Sequence, residues 1–399
     1  MNRLQQPIAI TGLGSISALG HKASQVHQAY QHPSSAIDWQ LELDAYGAAL
    51  PACSQQIIEE IKLSRSPAHP AGKHYSRLDK SVLYALYAAR QAFKQSGWTE
   101  ADFGVNIGSS RGATRQWEQA IKSFEDGEPL SPLTSPATTL GNISSWIIQD
   151  LQSSGPDISH SVTCSTGMHA ILNGIAWLQA GLSKRFLVGG SEAALTPFTL
   201  AQMQAMQVYA SSSKTNYPCR SMDLAKKRNT MVLGEGAAVL CLESGPQDHA
   251  LAYIKGIGYA TEELRHPASL SAKGACMEKA MRMAVDGLDE AVDAIVMHAP
   301  GTLQGDEAEF TAINTVFGTH KPYLTSNKWK LGHTFAASGV LSIEMALHML
   351  QHQHLIEVPY LDASFTKVPK ASRKPLRNIL VNAVGFGGNA VSILVGSPG

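Results

Sequence analysis

The sequence predicts a mixed α/β protein laid out in two parts. Short apolar runs of strand character alternate with longer amphipathic runs of helical period along the whole chain. With 399 residues, 44% of them hydrophobic, the chain can hold more than one domain and bury a large core. No short-period repeat is visible, but Glu243-Ser244-Gly245-Pro246-Gln247-Asp248 interrupts the pattern, and Gly-Pro marks a turn. This divides the chain into residues 1–245 and 246–399.

Ile8–Leu13 is the first strand-like run. Thr11, Gly12, Gly14 and Ser15 break its hydrophobicity too early for a secretory signal. Ser81–Ser96 is a clean helical run: Val82, Ala85, Leu86, Ala89 and Phe93 share one face, and Gly97 supplies a stop. Phe103–Ile107 reads as a strand, Asp126 to Thr139 as a Pro-, Ser-, Thr- and Gly-rich loop or cap, and Thr139–Leu151 as a helix. Ser159–Thr163 reads as a strand leading into a helix over Gly167–Ala180. Further strands are expected at Phe186–Val188, Met231–Leu233, Ala237–Leu242, Leu251–Tyr259, Ala294–His298, Asn378–Val384 and Val391–Val395. Further helices are expected over Ala272–Gly287 and Ser338–His352. No window approaches the roughly 20 apolar residues of a membrane span.

Cys164 lies between the strand-like run and the helix-like run. A thiol there faces a helix N-terminus, whose dipole and unpaired N–H groups favour a thiolate. A thiolate is a strong nucleophile for acyl transfer. A buried structural cysteine fits the local context equally well. Two later segments weigh on the choice. His298 follows a strand-like run, in Met297-His298-Ala299-Pro300-Gly301-Thr302. His333 follows a glycine turn, in Lys328-Trp329-Lys330-Leu331-Gly332-His333. One cysteine with two distant histidines is the usual form of a cysteine-centred site.

The sequence resembles the β-ketoacyl-acyl carrier protein synthases, condensing enzymes of the thiolase superfamily, and the match is colinear over nearly the whole chain. Cys164-Ser165-Thr166-Gly167 matches the nucleophile motif, and Leu233-Gly234-Glu235-Gly236-Ala237 a G-E-G-A segment. His298 and Thr302 fall on H-G-T-G-T, Lys328 and His333 on K-x-x-x-G-H, and Gly385-Phe386-Gly387-Gly388 on G-F-G-G. The resemblance implies a thiolase-like α/β fold of two pseudo-symmetric halves in α-β-α-β-α layers. The first half would carry the cysteine and the second both histidines.

It also implies roles. Cys164 takes an acyl group from a thioester. His298 and His333 donate to the malonyl thioester oxygen as carbon dioxide leaves and an enolate forms. The backbone N–H groups of Cys164 and Phe386 form the oxyanion hole, and Phe386 gates the site from a loop freed by Gly385 and Gly387. Lys328 lies near the histidines with Glu309 as its partner. No bound cofactor is implied, because the phosphopantetheine arm arrives on the carrier protein.

This sequence departs from the family pattern at four places. Ala299 and Pro300 stand where most relatives have Gly and Thr, leaving Thr302 as the remaining threonine of that motif. Asn389 follows the last glycine where a threonine is usual. Arg111 occupies a position at the acyl pocket where many relatives are apolar, and a charge facing an alkyl chain is costly. Pro218-Cys219-Arg220-Ser221-Met222-Asp223 replaces an R-P-F-D segment. These changes suggest a divergent member from a polyketide, aryl-polyene or lipid pathway.

Lys+Arg and Asp+Glu both number 32, so net charge implies neither a nucleic acid nor a membrane partner. Lys214 to Arg228 and Lys367 to Arg377 are candidate basic patches for an acidic carrier protein. The five scattered cysteines read as reduced thiols of a cytoplasmic protein, and no C-x-x-C or H-E-x-x-H spacing suggests a metal site. The family implies a dimer, with a second copy or a related subunit. The alternative is a non-catalytic chain-length-factor-like partner of an active synthase, but such partners usually lack the cysteine. A thiolase would carry a second cysteine near the C-terminal glycine loop, and none follows Cys276.

Overall fold

The computed structural model describes residues 4–64, 75–140, 142–263, 271–288, 290–318, 322–361 and 375–398. The amino-terminal strands are β1 (Ile8–Ser17), β2 (Asp38–Gln40), β3 (Ala45–Gly47), β4 (Gly104–Gly108), β5 (Asp157–Ile158), β6 (Arg185–Glu192) and β7 (Gly236–Ser244). After these come β8 (Ala252–Thr261), β9 (Ala294–Val296), β10 (Tyr323–Thr325), β11 (Asn378–Gly385) and β12 (Asn389–Gly396). β2 and β3 form a separate ribbon. The other ten make one sheet in the order β5-β4-β6-β7-β1-β8-β12-β11-β9-β10.

That order contains a repeat. Counted within each group of five, the strands run 3-2-4-5-1 in both β1, β4–β7 and β8–β12. The directions repeat too. In each group the fifth strand is antiparallel to the first and fourth, and the second is parallel to the third and fourth. The groups join edge to edge through Ile8–Ile10 on β1 and Ala252–Ile254 on β8.

Side-chain alternation along the strands builds the layers. Phe186 and Val188 on β6 and Leu240 and Leu242 on β7 enter a central core, as do Ile379 and Val381 on β11 and Ile393 and Val395 on β12. Helix Thr166–Gln179 contributes Met168, Ile171 and Ile175 to that core, and helix Ser338–His352 contributes Val340, Leu341 and Met345. The intervening Leu187, Val239 and Cys241 face an outer core with helix Lys80–Ser96, and Leu380 and Leu394 face another with helix Ala275–Ala284. The two five-stranded halves of the sheet and three helical layers therefore alternate, as in the thiolase-like fold. Fully burying one leucine such as Leu83 or Leu86 stabilises by about 1.5–3 kcal/mol. Asp79 caps its helix by accepting the Ser81 N–H at 2.8 Å, and Gly97 ends it at φ 68°.

The differences from the sequence reading have local causes. Ser159–Thr163 is not a strand: β5 ends at Ile158, and Thr163 turns to φ 52°. The Val162 N–H donates to Thr166 Oγ1 at 2.8 Å and the Thr163 carbonyl accepts Ser110 Oγ at 2.6 Å, so side chains replace the ladder. Met231–Leu233 forms only isolated bridges, to Tyr209 and His333. β9 stops at Val296 because the carboxylate of Glu309 takes the next two N–H groups but one, those of His298 and Ala299. The 126–139 segment holds a short helix, Thr134–Thr138. β10 and helices Ala23–Gln31, Ala52–Leu63, Thr114–Glu125, Pro197–Ala205 and Leu303–Phe317 are additional elements. Among the described residues no helix is long and apolar enough to cross a membrane.

Candidate active site

Cys164 sits at the bend between β5 and helix Thr166–Gln179, 5% exposed. The bend is knotted to its neighbours. The Thr163 carbonyl also accepts the Thr166 N–H at 3.2 Å and its hydroxyl at 2.5 Å. Ser165 Oγ donates to the Val162 carbonyl at 3.0 Å and to Asn389 Oδ1. Gly167 lets the helix start pack directly on segment 335–337, since a Cβ there would lie 2.5 Å from the Ala336 carbonyl oxygen.

The Phe386 loop closes over the sulfur from the β11–β12 turn. Thr163 Oγ1 and Asn389 Nδ2 both donate to the Phe386 carbonyl at 3.1 Å, which aims the loop. A Cβ on Gly385 would lie 2.1 Å from Thr163 Oγ1, so only glycine allows this approach. Gly387 turns the chain at φ 96°. The N–H groups of Phe386 and of Cys164 itself both act on the Cys164 sulfur.

The expectation of a ready thiolate is corrected. Burial first, then the charge of Glu192, pushes the Cys164 thiol up to about 12. The two N–H groups and Lys328 pull the other way with smaller effect. Glu192 is fully buried and accepts Ser109 Oγ at 2.8 Å, the N–H groups of Ser110 (2.9 Å) and Arg111 (3.1 Å), and that of Ala336 (3.3 Å). Burial raises its own pKa to about 6. It ties three segments behind the cysteine.

His298 and His333 are 3% and 1% exposed, with ring centroids 5.1 Å apart at 89°. Their Nδ1 atoms are buried without a hydrogen-bond partner among the described residues. Burial and the neighbouring Lys328 depress both imidazoles, His333 to about 3, so both are neutral at pH 7. Lys328 is fully buried and pushed down to about 8 by burial. It donates to Asn327 Oδ1 at 2.8 Å and Ser342 Oγ at 3.3 Å.

The expected Lys328–Glu309 pair is therefore corrected to a through-space attraction without an ion-pair contact among the described residues. Glu309 is held instead by the N–H groups of His298 (3.0 Å) and Ala299 (2.8 Å) and by Asn382 Nδ2 at 3.1 Å. Burial raises it to about 7. Its role is to clamp the His298 turn. Thr302 caps helix Leu303–Phe317, its Oγ1 accepting the Gly305 N–H at 3.2 Å.

Two predicted features lie elsewhere. The Arg111 side chain turns to Gln202 Oε1 and lines a cavity of about 470 Å³ with Trp117, Ile121 and Phe198, none of them the catalytic candidates. Of the basic residues in the 214–228 patch, only Lys214, Lys227 and Arg228 are exposed. Arg220 pairs with Asp223, and Lys226 forms a buried pair with Asp306 at 2.8 Å. Residues 367–374 of the second patch lie outside the described residues.

The Beta-ketoacyl synthase N-terminal domain matches residues 5–247 and its C-terminal domain residues 251–361. The chain belongs to the beta-ketoacyl synthase family. The synthase is 29% identical to the chloroplastic 3-oxoacyl-[acyl-carrier-protein] synthase II of Arabidopsis thaliana, over 98% of this chain and 75% of that one. It is also 29% identical to 3-oxoacyl-[acyl-carrier-protein] synthase 2 of Coxiella burnetii, over 96% of each. A beta-ketoacyl synthase crystal structure from Burkholderia phymatum matches with TM-score 0.83 at 21% identity, over 99% of this chain and 100% of that one. The ishigamide ketosynthase/chain length factor matches at 0.80 and 21%, over 99% and 100%.

The departures from the family pattern have visible consequences. Ala299 holds a glycine position at φ 24°, pinned by Glu309 on its N–H and by Ser221 Oγ, 2.7 Å from its carbonyl oxygen. Asn389 does two jobs, binding Ser165 and the Phe386 carbonyl. Glu192 was missed in the sequence, and Asn389 was noted there as a departure without a role. The signal for Glu192 was an acid ending an otherwise apolar and glycine strand.

Proposed function

We propose that Cys164, His298, His333 and the Cys164 and Phe386 N–H groups carry out a decarboxylative Claisen condensation. The observation that carries this is the convergence of both N–H groups on one sulfur, with the charge of Lys328 acting on that sulfur and on two perpendicular neutral imidazoles. The synthase is an acyltransferase of the condensing type. In the first step Cys164 attacks an acyl thioester. The oxyanion is held by the two N–H groups, and the thiol proton leaves on the departing carrier thiol. In the second step malonyl-carrier protein loses carbon dioxide. The enolate oxygen accepts from His298 and His333, and the carbanion attacks the acyl-cysteine. A β-ketoacyl thioester leaves, and the released Cys164 thiolate takes up a proton from water. Lys328 supplies positive charge nearby, and Glu309 and Thr302 hold the His298 turn. The acyl carrier protein brings the phosphopantetheine arm, and this chain needs no cofactor of its own.

We further divide the chain into halves 1–245 and 246–399 and assign it a paired, cytoplasmic assembly. In support, β5 forms a sheet edge, and Trp117, Ile121 and Phe124 lie exposed on one helix face beside Phe198. Lys214, Lys227 and Arg228 suit an acidic carrier protein. Retention of the full cysteine–histidine set favours an active synthase over a chain-length-factor-like partner.

The test is to mix the protein with acyl- and malonyl-carrier proteins and follow carbon dioxide and β-ketoacyl product. Product is expected, with loss of condensation but retained acylation of Cys164 in His298→Ala. Product formation by Cys164→Ala at the native rate would overturn the assignment.

A further inference from the structure

A second cluster of imidazoles lies away from the cysteine site. His348 and His352 are four residues apart on helix Ser338–His352, which places them on one face. His27 meets them from helix Ala23–Gln31. Nitrogen atoms of the three rings all lie within 4.8 Å of one another. His27 Nδ1 and His348 Nε2 are 2.9 Å apart, and the His27 and His352 ring centroids 4.2 Å. His348 is 9% exposed, and its Nδ1 is buried with no hydrogen-bond partner among the described residues. His352 opens to solvent, giving an entry path.

We propose that His27, His348 and His352 bind one divalent first-row transition cation, Zn²⁺ in the first instance. Imidazole suits such ions, and three histidines leave a fourth tetrahedral position for water. Zinc–nitrogen bonds of about 2.0–2.1 Å put tetrahedral ligand atoms about 3.3 Å apart, so the rings need only small rotations from their present spacing. Burial and the neighbouring imidazoles keep His348 unprotonated at neutral pH.

The site is structural. The start of helix Ser338–His352 abuts the segment behind Cys164, while the histidines lie toward its other end, about 15 and 21 Å along at 1.5 Å per residue. A bound ion would clamp the first helix of the chain to a central helix of the later repeat. This does not depend on the proposed reaction.

The test uses untagged Cys164→Ala protein, so that the catalytic thiol cannot compete, titrated with ZnCl₂ alone by calorimetry and followed by thermal melting. One Zn²⁺ per chain is expected, with a raised melting temperature. His352→Ala, at an exposed position, should weaken binding at least tenfold and abolish the thermal shift. His27→Ala should do the same. In the otherwise native chain, His352→Ala should leave condensation turnover unchanged. Absence of stoichiometric zinc, or zinc binding as tight in either histidine variant as in the parent protein, would overturn the proposal.

Discussion

Alkylation of Cys164 against pH probes the balance of forces at the nucleophile. An ordinary thiol of pKa about 8.5 is about one quarter thiolate at pH 8. With its thiol pushed up to about 12, Cys164 would be thiolate in about one molecule in ten thousand. The ratio is roughly 2,000. A more basic thiolate is more nucleophilic, and a Brønsted slope of about 0.4–0.5 over about 3.5 pKa units returns roughly 25–60-fold. Iodoacetamide should therefore modify Cys164 about 40–100-fold more slowly than a free thiol at pH 8, before any steric shielding. The assay is timed alkylation from pH 7 to 10 with peptide mass spectrometry, which separates Cys164 from the exposed Cys53. The logarithm of the rate should climb with unit slope and no plateau. A plateau below pH 9 would refute the reasoning, because the helix terminus and N–H donors would then outweigh burial and Glu192.

Other substitutions test other parts of the account. Lys226→Met leaves Asp306 buried with only the N–H groups of Met222 and Gly301, and should cost about 3–5 kcal/mol. With unfolding entropy of about 2.1 cal/mol/K per residue, that is a drop of roughly 5 °C in melting temperature, read by differential scanning fluorimetry. Glu344 is buried with one oxygen unpartnered, and burial raises it to about 7. Its folded pKa exceeds its unfolded value, so the stability of its neutral form is complete below about pH 4.5 and lost as pH rises through about 7. Glu344→Gln should thus gain about 3 kcal/mol relative to wild type between pH 4.5 and pH 8.5, visible in paired melts. Gly385→Ala pushes the Phe386 N–H off the sulfur and should lower the acylation rate about 10²–10³-fold, measured by single-turnover mass spectrometry.

The catalytic candidates stand out in the sequence because each lies at the end of an element, where side chains reach a site. His333 and Phe386 adjoin glycines, Cys164 and His298 lie within three residues of one, and Lys328 opens a short helix that Gly332 ends. Glu192 was not legible, because its partners come from a loop some 80 residues earlier and from Ala336. The same tertiary origin explains the strand misread over 159–163: its backbone groups are spent on Ser110 and Thr166. The thiolate expectation failed because the sequence shows the helix terminus but not the depth of burial. The long helix Ser338–His352 was read to the residue, since its apolar face is continuous. Helix Thr114–Glu125 was missed although Trp117, Ile121 and Phe124 recur at helical spacing on one face.

The most direct test of the central claim is intact-mass spectrometry of the chain with a panel of acyl-carrier proteins, beside Cys164→Ala. The account predicts one acyl group added to the native chain, none on the variant, and loss of that adduct as β-ketoacyl product when malonyl-carrier protein follows. An unmodified native chain with every donor would contradict it and favour a non-catalytic partner subunit.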